Sequence, residues 1–493
     1  MKNTLLLVLL LFGLQSCGKQ EPFVPKNSPN PWADNYESVS GMKNYSDWGT
    51  YNVHDPACKQ FGDYYYAYST DAIYKERRRQ AREEGIRMGN VQIRRSKDLV
   101  NWEFVGWAFP EIPQEAVDWV KSHADGRGAT NIWAPYVIRY GDIYRMYYCV
   151  SAFGRKTSYM GLAEADSPEG PWTLKGAVVK TDNESVMNAI DPSVIEDPAT
   201  GKWWMHYGSY FGGLFCLELN PETGLPVREG DQGHLIARRA NYRKDNLEAP
   251  EIIYNPDLKQ YFLFVSYDPL MTTYNVRVGR SDKPEGPFLD FFGNNLADTT
   301  NNFPVLVAPY QFNNHPGWAG TGHCGTLRTD EGKYFMLHQG RLCPDNAMMV
   351  MHVREFFFTP EGWPVVSPER YAATPAGKFK TGNLVGEWEV IRVLEPPLER
   401  GLEAGQVLWG EGNLMAKESR VSTTFTLGND GKIAELGSWS FSEKDQRLNL
   451  VIQEEVITNM VVLAGQDWEN EKETILFTGL DSQGRSVWGK KIN

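Results

Sequence analysis

The sequence predicts an all-β protein, a five-bladed β-propeller followed by a small C-terminal antiparallel β-barrel or sandwich. Three observations predict it: one two-strand unit recurs five times, a second pattern falls between the copies, and both stop near residue 375. Repeats that cannot bury their own apolar face must stack on one another. Four short strands per repeat describe the blades of a propeller.

Each copy opens on a polar or Pro-containing segment, turns at Gly, Asp or Asn, and returns as an aromatic-rich strand ending in a small polar residue. The first runs from His54-Asp55-Pro56 through Gly62-Asp63 to Tyr64–Ser69, and the second from Trp133-Ala134-Pro135 through Gly141-Asp142 to Tyr144–Ser151. Asp191-Pro192-Ser193, Thr200-Gly201-Lys202 and Trp203–Ser209 make the third. The fourth runs from Glu248-Ala249-Pro250 through Asn255-Pro256-Asp257 to Tyr261–Ser266, and the fifth from Gly322-His323-Cys324-Gly325 to Tyr334–His338. Alternating residues around such turns are β-hairpins. Outer-strand segments such as Ala165–Trp172 and Arg280–Phe288 separate the copies.

These copies place one domain over residues 32–375. Ala373-Thr374-Pro375-Ala376-Gly377 reads as a linker, and plainer alternating strands between Glu387 and Lys490 place a second domain over 380–493. Ala72–Gly85 and Gln114–His123 read as helical insertions in the first blade. The basic cluster within the first, Lys75 to Arg82, reads as a solvated helix face.

At the N-terminus, Lys2 and the apolar run Thr4–Leu14 read as an export signal over residues 1–16, too short to span a bilayer. Leu14-Gln15-Ser16-Cys17 looks like a bacterial lipobox, which implies acylation of Cys17, a tether over 17–31 and attachment to the outer membrane. That anchor is the only membrane association expected, and a monomer is expected. The other five cysteines are scattered without a CxxC pair, which is neither a disulfide framework nor a zinc site. A net charge of -12 argues against nucleic acid, which needs clustered Lys and Arg. Aromatic residues make up 13% of the chain and supply strand packing as well as flat platforms for sugar rings.

A propeller aims the openings of its innermost strands at one axis. Asp55, Asp191, Glu248 and His323 therefore converge, and all three acids are expected at one repeat position. Like charges at close range raise at least one pKa and keep that group protonated near neutrality. Glycoside cleavage needs that division, an acid for the leaving oxygen and a carboxylate to activate water. On sequence alone Glu251 competes with Glu248 as the acid.

His54-Asp55-Pro56, Asn188-Ala189-Ile190-Asp191-Pro192-Ser193 and Glu248-Ala249-Pro250 resemble the three catalytic signatures of glycoside hydrolase family 43. Trp133-Ala134-Pro135, Tyr207-Gly208-Ser209, Gly320-Thr321-Gly322-His323 and Tyr274–Ser281 add to the resemblance. Within the family, His338-Gln339-Gly340-Arg341 is similar to the two-domain endo-α-1,5-L-arabinanases. The resemblance implies an inverting hydrolase that cuts arabinan, a plant pectin side chain, internally. Asp55 would be the general base, Glu248 the general acid, and Asp191 the residue that raises and orients the acid. Trp133 would stack on a sugar, with Asn188 and Ser209 lining the same funnel. His323 would help hold a calcium ion, largely through waters; no organic cofactor is implied. Tyr136 departs from the family, where many arabinanases carry Asp after Trp-Ala-Pro, and the departure bears on subsites and endo mode. An exo-acting relative and a non-catalytic glycan-binding lipoprotein are the other readings.

Overall fold

The computed structural model describes residues 34, 36, 41–72, 75–86, 88–239, 246–299, 301–343, 349–395 and 421–492. The signal segment and Cys17 lie outside them. Five antiparallel sheets follow one another along the chain. Their first strands are His54–Phe61, Trp133–Tyr140, Ser193–Glu196, Leu247–Asn255 and Cys324–Arg328. Each first strand packs against the first strand of the next blade, and that of blade V returns to blade I. The chain just before blade I closes the ring: the Asn52 amide donates to the Met349 carbonyl, and the Met351 amide to that of Thr50.

The apolar interior lies between blades. Tyr68, Ile93, Met146 and Tyr148 fill the gap between blades I and II; Tyr136, Tyr147, Trp203 and Met205 that between II and III; Leu214, Leu263, Val265 and Phe288 that between III and IV. Aromatic and β-branched residues suit this place because both faces of every blade are covered. All five described cysteines are buried and free.

Of the two predicted helices, α1 (Lys75–Glu83) sits inside blade I, between its second and third strands. The other, α2 (Gln114–His123), follows the fourth strand and connects blade I to blade II, so it is a crossover and not an insertion in the blade.

The C-terminal strands from Gly386 to Lys491 form one eight-stranded antiparallel sheet. Its two edges are Thr423–Leu427 and Lys432–Ile433, neighbours in sequence, so the sheet curls almost into a closed barrel around Trp388, Leu450, Met460 and Phe477. The barrel is held to the propeller by a buried charge cluster. Lys490 Nζ lies 2.8 Å from Asp467, 2.5 Å from Glu469 and 3.1 Å from Glu369, which follows blade V. Burial and the Glu469 charge raise the Glu369 pKa, while Lys490 holds Glu469 down at about 2 despite its burial. Glu369, Asp467 and Glu469 are the one group among the described residues spaced like metal ligands, and the Lys490 ammonium already supplies their cation.

Removing one member of a buried ionic cluster leaves the others unpaired, at a cost of about 3–5 kcal/mol. Lys490→Met should therefore lower the urea midpoint of unfolding, read by tryptophan fluorescence; an unchanged midpoint would contradict this role.

Candidate active site

At the mouth of each blade one residue takes a left-handed backbone conformation: Asp55 (φ 53°), Ala134 (38°), Asp191 (58°), Ala249 (54°) and His323 (46°). Four of the five precede proline. Such a conformation costs a non-glycine residue about 1–2 kcal/mol. Here each amide is met by a side chain of the preceding blade. The Asp55 amide donates to Gln339 Oε1 (3.5 Å), Ala134 to Thr70 Oγ1 (2.8 Å) and His323 to Ser266 Oγ (2.8 Å). The Asp191 amide faces the Cys149 sulfur.

The remaining amide, Ala249, donates to the Asp191 carboxylate (3.1 Å). Thr70, Cys149 and Ser266 pair across their hairpins with His54, Trp133 and Glu248. In blade III the matching partner, opposite Ile190, is Gly208. A Cβ on Gly208 would stand 2.3 Å from the Gly213 carbonyl oxygen, so no side chain fits there. The Asp191 carboxylate takes its place and fixes the backbone beside Glu248.

This register corrects one expectation. Asp55 and Asp191 share the left-handed position, but Glu248 does not; it stands one residue earlier, where the other blades carry His54, Trp133, Ile190 and Gly322. A β-bulge follows Glu248 as it follows His54 and Trp133, and all three side chains line the cleft.

The three acids lie in a cleft of about 590 Å³, walled by residues including Trp133, Phe153, Leu270, Met271 and Arg341. Asp55 is gripped from three sides: Thr70 Oγ1 donates to Oδ2 at 2.7 Å, His54 Nδ1 lies 2.8 Å from Oδ2, and His323 Nδ1 lies 2.8 Å from Oδ1. Burial works against its charge, but the two histidines hold its pKa well below the usual carboxylate range. Burial lowers His54, leaving it neutral. His323, despite its burial, is raised to about 9 by Asp55, Asp191 and Glu248 and is an imidazolium.

Glu248 behaves oppositely. Burial raises it to about 7 against the pull of Tyr274 and His323. At pH 6 about nine in ten such groups carry a proton, where an unperturbed Glu would keep about one in fifty. Burial, Glu248 and Asp55 together raise Asp191 as well. The Tyr274 hydroxyl donates to Glu248 Oε1 (2.8 Å), leaving Oε2 to carry the proton. A fixed anion thus faces a protonated acid, the pairing that can protonate a leaving oxygen while activating water.

Trp133 lines the cleft, with its Nε1 donating to Asn131 Oδ1 (2.6 Å) and its ring edge-on to the exposed ring of Phe153. Asn188 and Ser209 do not reach the cleft wall. They are buried and bonded to each other (3.0 Å), with Ser158 donating to Asn188 Oδ1 (2.6 Å). Glu251 faces the central channel, where all five blades contribute to one polar belt. It accepts from Ser193 (2.8 Å) and from the amide and hydroxyl of Thr326 (2.9 and 2.8 Å). Lys59 Nζ lies 4.0 Å from it and over the Tyr136 ring. Tyr136, the departure expected to alter a sugar subsite, therefore belongs to this belt below the cleft.

His323 does not fit a directly coordinated calcium. That ion takes about six to eight oxygens, whereas His323 offers one nitrogen beyond the Nδ1 given to Asp55, so an ion held there draws its other ligands from water. Among the described residues, the ligand atoms of His323 and the three carboxyls do not lie close enough together to share one ion. The chemistry below involves no ion.

Missed in the sequence were Tyr274, Thr70, Phe153 and Arg341. Tyr274 and Arg341 fall in quoted motifs, and Thr70 ends a repeat strand, but only the folded ring shows what each touches.

A propeller holding a protonated acid against an ionised carboxylate at its axis is the frame of a glycoside hydrolase. The chain belongs to glycosyl hydrolases family 43, whose model matches residues 49–364, and a C-terminal lipocalin-like domain model matches 368–489. It is similar to an extracellular endo-α-(1→5)-L-arabinanase of Thermotoga petrophila, 28% identical over 89% of this chain and 93% of that protein. It is also similar to an extracellular exo-α-(1→5)-L-arabinofuranosidase of Cellvibrio japonicus, 30% identical over 64% and 86%. A crystal structure of a Thermotoga petrophila endo-1,5-α-L-arabinanase superposes with a TM-score of 0.73 at 28% identity, covering 90% of this chain and 99% of that one.

The pH profile of kcat/KM on a glycoside should have an acid limb below the usual carboxylate range, set by Asp55, and an alkaline limb near 7, set by Glu248 and Asp191 together. Activity needs Asp55 deprotonated and Glu248 protonated. Removing the His323 cation raises both carboxyl pKa values, so His323→Asn, which tolerates the left-handed backbone, should move both limbs to higher pH.

Proposed function

We propose that the protein is an inverting endo-α-1,5-L-arabinanase in which Glu248 is the general acid, Asp55 the general base and Asp191 the residue that positions Glu248. The carrying observation is the split between a Glu248 carboxyl raised to about 7 and an Asp55 held ionised by two histidines. Glu248 gives its proton to the glycosidic oxygen as the bond to the anomeric carbon breaks. Water attacks that carbon from the opposite face and loses its proton to Asp55. The new hemiacetal has inverted configuration; Asp55 then releases its proton to solvent and Glu248 regains one, restoring both groups.

The substrate part of this reading rests on relatives named for arabinan and on a cleft whose Trp133, Phe153, Leu270 and Met271 offer apolar faces to pentose rings. Relatives named as extracellular support export; the reading adds an acyl anchor on Cys17. Calcium at His323 is left out of it.

Purified protein and Glu248→Ala should be incubated with debranched linear arabinan and the products sized over time. Wild type should release a ladder of oligosaccharides, and the variant should be slower by about 10²–10⁴-fold, the usual contribution of a positioned acid. Arabinose as the only early product would make the enzyme exo-acting. No products would overturn the arabinan reading.

A further inference from the structure

The basic cluster expected to be a solvated helix face is only partly that. On α1, Arg79 pairs with Glu83 at 3.8 Å and Gln80 donates to Glu84 at 2.9 Å. Arg78 and Arg82, four residues apart and so on one face, both line the acid-bearing cleft. Arg78 is engaged, its Nη2 donating to the Asp71 carbonyl at 3.2 Å. The Arg82 side chain is exposed and makes no hydrogen bond or ion pair to any described residue, its carbonyl accepting from the Gly85 amide. Arg341, buried with its Nε on the Leu270 carbonyl, adds a third guanidinium to the wall.

Among the described residues, the carboxylates lining this cleft are Asp55, Asp191 and Glu248. Arg78 and Arg82 thus bring positive charge to the cleft wall in a chain of net charge -12. A neutral pentose chain has hydroxyls to offer there but no charge. A guanidinium fork matches a carboxylate with two parallel hydrogen bonds, and that match is stronger than one to a neutral acceptor.

We propose that Arg78 and Arg82 form a subsite for a carboxylate-bearing sugar, a uronic acid residue adjoining the arabinose chain being cut. This rests on the arabinanase reading and adds to it the chemical class of the flanking residue. The subsite favours acidic, uronate-bearing arabinans over neutral ones and acts through substrate affinity, because the proton transfers belong to Glu248 and Asp55 and not to the two guanidiniums.

The test compares an arabino-oligosaccharide ending in a uronate with the same molecule after its carboxyl is reduced to the alcohol. KM is measured for both with wild type, Arg82→Gln and the double variant Arg78→Gln/Arg82→Gln. Wild type should show a KM roughly three- to tenfold lower for the acidic substrate, the range of one or two partly exposed charge-assisted contacts. That ratio should shrink in Arg82→Gln, approach one in the double variant, and fall with added salt as screening shortens to about 8 Å and below. Equal wild-type KM values, or a preference that survives in the double variant, would overturn the subsite while leaving arabinan cleavage intact. A parallel loss of affinity for both substrates would also overturn it, since it would assign the arginines to sugar hydroxyls. If wild type cleaves neither substrate, the arabinanase reading falls and the inference falls with it.

Discussion

Five left-handed residues, one at the mouth of each blade, decide where every reacting group in the cleft can stand. Each costs about 1–2 kcal/mol of backbone strain, and each amide hydrogen bond from the preceding blade returns about 1 kcal/mol. The bonds run from blade to blade around the ring, so no blade can shift without loosening the mouth of its neighbour. Asp191 belongs to this ring as much as to the chemistry. Because Gly208 can bear no side chain, the Asp191 carboxylate bonds the Ala249 amide, and that amide belongs to the residue after Glu248.

The second constraint is electrostatic layering along the axis. Apolar packing fills the spaces between blades and leaves the channel to polar groups. In the lower layer, Glu251 is satisfied by Ser193 and Thr326, with Lys59 close by, and it takes no part in the cleft. In the upper layer, one imidazolium, His323, stands among three carboxyls. It contacts only Asp55 directly, so Asp55 keeps its negative charge while Glu248 keeps its proton. Two acids of similar chemistry are thus driven to opposite protonation states by which of them the histidine touches.

Much of this was legible in the chain. The five repeats announced the propeller because each opening segment and turn is local, and the acids stood out because each sits within two residues of a proline in such an opening. Harder to read was anything made between blades. The one-residue offset of Glu248 shows only when the blades are aligned on the bulge that His54, Trp133 and Glu248 share, which alternation alone does not reveal. Asn188 and Ser209 fell in resembling motifs yet point into the protein. Tyr136 looked like an altered subsite, but its ring faces Lys59 in the channel. The bonds of Thr70 to Asp55 and Tyr274 to Glu248 join strands of the same blade at positions a linear pattern does not pair. The helix α1 was visible, but which of its arginines face the cleft is a property of how blade I closes.

The central claim is that Glu248 is protonated and Asp55 ionised in the resting protein at the same pH. It is tested most directly by carboxyl-¹³C NMR of protein labelled at Asp and Glu side chains, titrated alongside Glu248→Gln and Asp55→Asn to assign the two signals. The account predicts a Glu248 signal that titrates near pH 7 and an Asp55 signal still ionised well below the usual carboxylate range. A Glu248 midpoint at an ordinary glutamate value, or an Asp55 signal titrating alongside it, would contradict the account.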